Sequence, residues 1–269
     1  MDLASNRPIG VFDSGVGGLT VVRQLIKHLP AEDIIYFGDL ANLPYGSKSR
    51  ERIIRLSVAA AKFLTGFKIK LLVTACNSSS SVALATLKRR FQLPIIGVIE
   101  PGVAEALKTT VNRQVGVIGT QATIASKAYQ IMLRRIDPGV KVLARSCPLF
   151  VPIVENKTDE KISLDIVRNC LKPLKNRQID TLILGCTHYP VLKKAITRIM
   201  GDDVNLIDSG APVALKAKVL LSETKLLAPQ DRAGKIKFYV SDLAGQFRRI
   251  GRRFFGRDIP RALKVRLDV

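Results

Sequence analysis

A chain of 269 residues with 47% hydrophobic side chains, 19 glycines and 13 prolines can bury a large core, which excludes a disordered or fibrous protein and fits a soluble globular α/β one. No apolar run approaches the roughly 20 residues of a membrane span, and Met1 to Pro8 holds no signal-like apolar stretch, so a cytoplasmic location with reduced cysteines is expected. The excess of 43 Lys and Arg over 22 Asp and Glu, a net charge of +21, favours anionic partners without choosing between nucleic acid, lipid headgroups and acidic metabolites.

Short β-branched or aliphatic runs predict strands at 9–12, 34–37, 70–74, 95–98, 114–118, 141–144, 181–184 and 205–207. Helix-spaced apolar residues fall between them at 50–67, 82–91, 103–110, 126–136, 164–174 and 191–200. Alternation of this kind implies parallel strands joined by crossover helices. The stretch Ile9-Gly10-Val11-Phe12-Asp13-Ser14 resembles Val115-Gly116-Val117-Ile118-Gly119-Thr120, and at similar distances downstream each half reaches a strand ending in cysteine: KLLVTACNSSSS with Cys76, DTLILGCTHYP with Cys186. Any two βα units share some of this pattern; a true repeat implies two similar α/β lobes facing one another.

Ligands of open parallel sheets bind beyond the carboxyl ends of the strands. The loops there carry Asp13-Ser14, Pro44-Tyr45-Gly46, Cys76-Asn77-Ser78, Thr120 and Cys186-Thr187-His188. Gly15-Val16-Gly17-Gly18 opens a helix but fails the dinucleotide and Walker A patterns, because Thr20 stands where a third glycine belongs and no Gly-Lys-Ser/Thr follows. It is expected to be a tight turn whose N–H groups hold a small anion such as a carboxylate. With no C-x-x-C pair and two histidines, a structural zinc site is not expected. Cys147 and Cys170 are expected as small buried hydrophobes, and His28 as a surface residue at a helix end.

Cys76 and Cys186 differ from that pair because hydroxyl, amide or imidazole groups bracket each of them. Two opposed thiols suit inversion of a stereocentre, one removing a proton while the other supplies one. A single cysteine with His188 would instead serve acyl transfer. Asp13 ends a strand as a proton relay or as a helix cap, and Glu155 follows an apolar run where it would otherwise pass for a surface acid.

On PIGVFDSGVGGLTV at 8–21, GDLANLPYGSKS at 38–49, TACNSSS at 74–80, GVIEPG at 97–102, CPLFVPIVE at 147–155, LGCTHYP at 184–190 and KFYVSD at 237–242, the chain resembles the glutamate racemases of the cofactor-independent aspartate/glutamate racemase superfamily. The resemblance implies a discontinuous first α/β lobe of 1–97 plus 208–269 and a second lobe of 98–207, with the active site between them. It further implies no cofactor and no metal, glutamate as substrate, D-glutamate supply for peptidoglycan, and a homo-oligomer. Cys76 would take the α-proton of D-glutamate and Cys186 that of L-glutamate, with Asp13 assisting Cys76 and Glu155 and His188 assisting Cys186. Substrate would meet Asp13, Ser14, Tyr45, Gly46, Asn77, Ser78, Thr187 and His188. Ser78 replaces the usual Thr, and Leu40 and Asn42 replace common Thr and Arg, which touches affinity more than reaction type. Aspartate is the alternative substrate, and nucleic-acid binding, prompted by the charge, would be secondary.

Overall fold

The computed structural model describes residues 4–156 and 158–267; the first three residues of the Met1–Pro8 stretch lie outside them. Every predicted strand forms: β1 (Ile9–Asp13), β2 (Ile34–Gly38), β3 (Leu71–Thr74), β4 (Ile95–Gly97), β5 (Gln114–Gly119), β6 (Lys141–Ser146), β7 (Thr181–Gly185) and β8 (Asn205–Ile207). Two more, β9 (Ile236–Val240) and β10 (Ala262–Lys264), join the first sheet, whose order is β10-β9-β2-β1-β3-β4, while the second runs β6-β5-β7-β8. All of these pairings are parallel. Helices cover both faces, so β1, β2, β3 and β7 are buried along their whole length and read as unbroken apolar runs rather than alternating ones.

The helices are α1 (Leu19–His28), α2 (Arg50–Thr65), α3 (Asn77–Val82), α4 (Leu84–Arg90), α5 (Ile99–Thr109), α6 (Gln121–Ala125), α7 (Ala128–Ile136), α8 (Phe150–Glu155), α9 (Glu160–Lys175), α10 (Lys193–Met200), α11 (Gly210–Glu223) and α12 (Ala244–Phe255). The helix expected at 82–91 forms as α4, and a further short helix, α3, precedes it across Ala83. Asn77 and Ser78 therefore sit in the first turn of α3 and not in a loop. His28 does end α1, and is half-buried there. Lys70, expected inside the third strand, lies just before it and forms a buried ion pair with Glu32 at 2.5 Å, also donating to the Ser5 and Leu226 carbonyls. That cation ties three distant stretches of chain together, and removing either partner would strand a buried charge.

The repeat is real at the level of topology. Four strands of each sheet share one order, β2-β1-β3-β4 and β6-β5-β7-β8. Register carries the equivalence further, since Ile9 pairs with Leu71 and Val115 with Thr181. Five residues beyond Leu71 is Cys76, and five beyond Thr181 is Cys186. The two thiols thus occupy the same position in two copies of one unit.

The expectation for the remaining two cysteines also fails. Cys147 and Cys170 are not reduced hydrophobes but form a disulfide, with Cα atoms 6.0 Å apart across a sequence separation of 23. Spacing along a chain does not reveal which cysteines meet, and here the fold returns α9 to the end of β6.

Candidate active site

Asp13 is the last residue of β1 and has no exposed surface. The following turn was expected to cradle a carboxylate, and the carboxylate it cradles is Asp13's own: the N–H of Gly15 donates to it at 3.0 Å, with the N–H groups of Ser14 and Gly18 also facing it. Burial raises the Asp13 pKa, with the nearby His188 and these N–H donors opposing. The glycines are there for close approach. A Cβ on Gly18 would lie 2.5 Å from that of Asp13, and one on Gly17 would lie 2.2 Å from Thr187 Oγ1 and 2.7 Å from His188 Nδ1.

Cys76 caps the start of α3, almost fully buried, and its thiol reaches Ser14 Oγ at 3.8 Å. Burial, reinforced by the Asp13 charge, pushes that thiol up to about 12. Asn77 and Ser78 turn toward the second sheet's helices: Tyr129 Oη donates to Asn77 Oδ1 at 2.6 Å, and Ser78 Oγ lies 2.9 Å from Thr120 Oγ1. With its oxygen taken, what remains of the Asn77 amide is a donor. Tyr45 is fixed by a bond from its hydroxyl to Asp39 at 2.6 Å, and Asp39 is held in turn by Asn42 and Asn42 by Arg52. Asn42, a departure from the family pattern, belongs to this chain of support. Gly46 packs so tightly on Thr120 that a Cβ would lie 2.5 Å from Thr120 Cβ.

On the other side, Cys186 follows β7 directly, and its sulfur lies 3.9 Å from His188 Nδ1. His188 Nε2 meets Glu155 Oε1 at 2.8 Å. Burial alone would lower the imidazole, but its bonds to Cys186 and Glu155 outweigh it and raise His188 to about 10. Thr187 Oγ1 points across to Asp13 Oδ1 at 3.4 Å. Glu155 ends α8, whose Val154 carbonyl accepts from Arg253 of α12 at 2.6 Å, and Phe254 of α12 packs edge-on against His188 with ring centres 5.1 Å apart.

Ser14, Tyr45, Gly46, Cys76, Asn77, Ser78, Cys186, Thr187 and His188 all line one cavity of about 20 Å³, room for roughly one water molecule. Asp13 stands behind it and Glu155 beside it, on a neighbouring cavity of about 200 Å³ that shares Leu43, Pro44, Gly46, Thr120 and Val151 as walls. Sequence reasoning placed Thr120 among the strand-end loops but gave it no role, although it aligns with Ser14 in the repeat. It had no signal for Tyr129, Val151, Arg253 or Phe254, which reach the site only through packing.

Two thiols stand on equivalent strand ends of a repeated α/β unit, each with its own hydrogen-bonding partner, and the fold that carries them is that of an isomerase. The chain belongs to the Asp/Glu/hydantoin racemase family, whose model matches residues 9–217, and it is a racemase. Among its relatives, the glutamate racemase of Geobacter metallireducens is 46% identical over 97% of both chains. Glutamate racemase from Bacillus anthracis superimposes with a TM-score of 0.94 at 38% identity, covering 97% of this chain and 98% of that one. The enzyme from Francisella tularensis, solved with D-glutamate, gives 0.91 at 40% identity over 98% and 99%.

Proposed function

We propose that this racemase interconverts L- and D-glutamate by two-thiol proton transfer at the α-carbon, in the cytoplasm, supplying D-glutamate for peptidoglycan. The observation that carries the reading is the convergence of Cys76 and Cys186 on one enclosed cavity. The name shared by relatives at 41–46% identity supports glutamate over aspartate. The two lobes would be 1–97 with 208–269, and 98–207.

The two sides of the cavity are electrically unlike. Cys76 is held as a thiol by burial and by Asp13, and is poised to donate. Cys186 has the imidazole of His188 beside it, and a cation next to a cysteine is the usual means of making it a base. L-glutamate would lose its α-proton to Cys186 and receive one from Cys76; D-glutamate would reverse the roles. Without an electron sink, the carbanionic transition state depends on fixed donors around the substrate carboxylates, and Ser78, Asn77 and Thr187 are placed to supply them. A space for one water cannot hold glutamate, so admission requires the Ser78–Thr120 and Gly46–Thr120 contacts to part, opening the cavity into its larger neighbour.

Purified protein free of pyridoxal phosphate and metal should convert L- to D-glutamate in D2O, with deuterium entering mainly the product. No racemisation of either enantiomer would refute the assignment. Cys76→Ser and Cys186→Ser should each abolish turnover, and substantial racemisation by either variant would rule out the two-thiol scheme.

A further inference from the structure

The Cys147–Cys170 disulfide runs from the end of β6 to the body of α9, and the loop it closes contains the whole of α8 and therefore Glu155. Its Cys147 end is built into the support of His188. The Cys147 N–H donates to Gly119 at 2.9 Å, and its carbonyl accepts from Tyr189 Oη at 2.8 Å. Phe150 then packs edge-on against the Tyr189 ring, with centres 5.0 Å apart. Tyr189 is the chain neighbour of His188, so the bridge reaches the imidazole twice: through Tyr189 along the chain, and through Glu155 across space.

The other end is accessible. Cys147 is buried, whereas Cys170 is only half-buried, and both line a surface cleft of about 280 Å³ together with Arg145, Pro148, Ile166 and Asn169. A guanidinium in that cleft favours the approach of a thiolate. The bond is thus open to exchange from one side while being anchored to the active site on the other.

We propose that Cys147–Cys170 is a redox-modification site whose state sets how firmly Glu155 is held against His188. The proposal rests on the reading that this pair serves Cys186. The reductant is a dithiol: one of its thiolates attacks Cys170 Sγ to form a mixed disulfide, and Cys147 Sγ leaves with the electron pair and takes up a proton. The second sulfur of the dithiol then closes on the first and releases Cys170 as a thiol. Two electrons and two protons enter the protein, and the dithiol becomes its disulfide. With the bond cut, the chain entering α8 at Cys147 loses its cross-link to α9, and the Glu155 carboxylate is held less firmly against the imidazole.

Three forms test this: wild type oxidised with oxidised dithiothreitol, wild type reduced anaerobically with dithiothreitol, and reduced Cys170→Ala. Alkylation under denaturing conditions followed by mass measurement should count two free thiols in the first and four in the second. His188 is one of only two histidines, so its NMR titration can be followed alone once His28→Gln has assigned the other. In the oxidised form His188 should titrate near 10. In both other forms it should titrate at least one unit lower, with amide exchange accelerated at least tenfold over 148–156. The rate of glutamate racemisation should fall about tenfold in those two forms, chiefly in kcat, and only wild type should respond to the dithiol.

Four free thiols at every ratio of oxidised to reduced dithiol would overturn the proposal, as would identical His188 titration and amide exchange in all three forms. Shifts in titration and exchange without racemisation in any form would uphold the redox coupling while rejecting glutamate as the substrate.

Discussion

His188 concentrates the chemistry of its side of the cavity into one titratable group. Its pKa in the folded protein, about 10, stands above the ordinary 6.5 because Cys186 and Glu155 together outweigh the effect of burial. A group raised on folding stabilises the fold fully below its unfolded value and loses that contribution as pH rises through the folded one. The contribution of His188 should therefore be complete below about pH 6.5 and gone above about pH 10. Urea denaturation at pH 6 and pH 10 should show wild type losing more stability across that window than His188→Gln; equal losses would mean that the imidazolium is not held. Glu155→Gln should lower the His188 pKa by removing one of its two named partners, as NMR titration would show.

At the scale of elements, the site depends on how closely the turn between β1 and α1 can approach the residues after β7. Gly17 makes that approach possible, for a Cβ there would press on Thr187 Oγ1 and His188 Nδ1 at 2.2 and 2.7 Å. Neither atom is the far end of a long flexible chain, so the backbone itself must shift. Gly17→Ala should reduce racemisation about 100-fold, the cost expected for a displacement near 1 Å in a catalytic constellation. Circular dichroism should stay unchanged, because the strain falls between elements and not within one. Full activity in this variant would mean that the two strand ends can separate without consequence. α12 works at the same scale from the opposite side, with Arg253 holding the end of α8 and Phe254 the ring of His188.

Across the whole molecule, the +21 charge is distributed over solvated faces. Lys88-Arg89-Arg90, Arg134-Arg135, Arg248-Arg249 and Arg252-Arg253 are all exposed. Like charges spread over one compact body repel, and dissolved ions screen that repulsion. Raising the salt from 0.01 to 0.1 M shortens the screening length from about 30 to about 10 Å, and should raise the melting temperature by a few degrees. A flat or falling melting temperature would show that local ion pairs, such as Arg232–Asp33 and Lys264–Asp242, offset the global excess. The disulfide also acts at this scale: closing a loop of 23 residues is worth about 3 kcal/mol against the unfolded chain.

Much of this was legible in the residues because it is local. Apolar runs of strand length between helix-spaced patterns specify a parallel α/β sheet, and a strand end followed by small polar residues places Cys76 and Cys186 where ligands bind. Asp13 and His188 were legible for the same reason, lying within three residues of a strand end. Glu155 and Ser78 were readable as candidates, but their partners were not. Contacts such as Tyr129 to Asn77, Thr120 to Ser78 and Phe254 to His188 join residues 52, 42 and 66 positions apart, and nothing in short-range pattern encodes which distant side chain fills a given space. The Cys147–Cys170 bond was misjudged on the same ground, since chain spacing leaves pairing open until the path of the backbone is known. Residue chemistry and hydrophobic period thus determine the strands and the two thiols. Packing in three dimensions alone decides that the thiols share one cavity, that each has an electrostatic partner of opposite character, and that a disulfide closes the segment carrying Glu155.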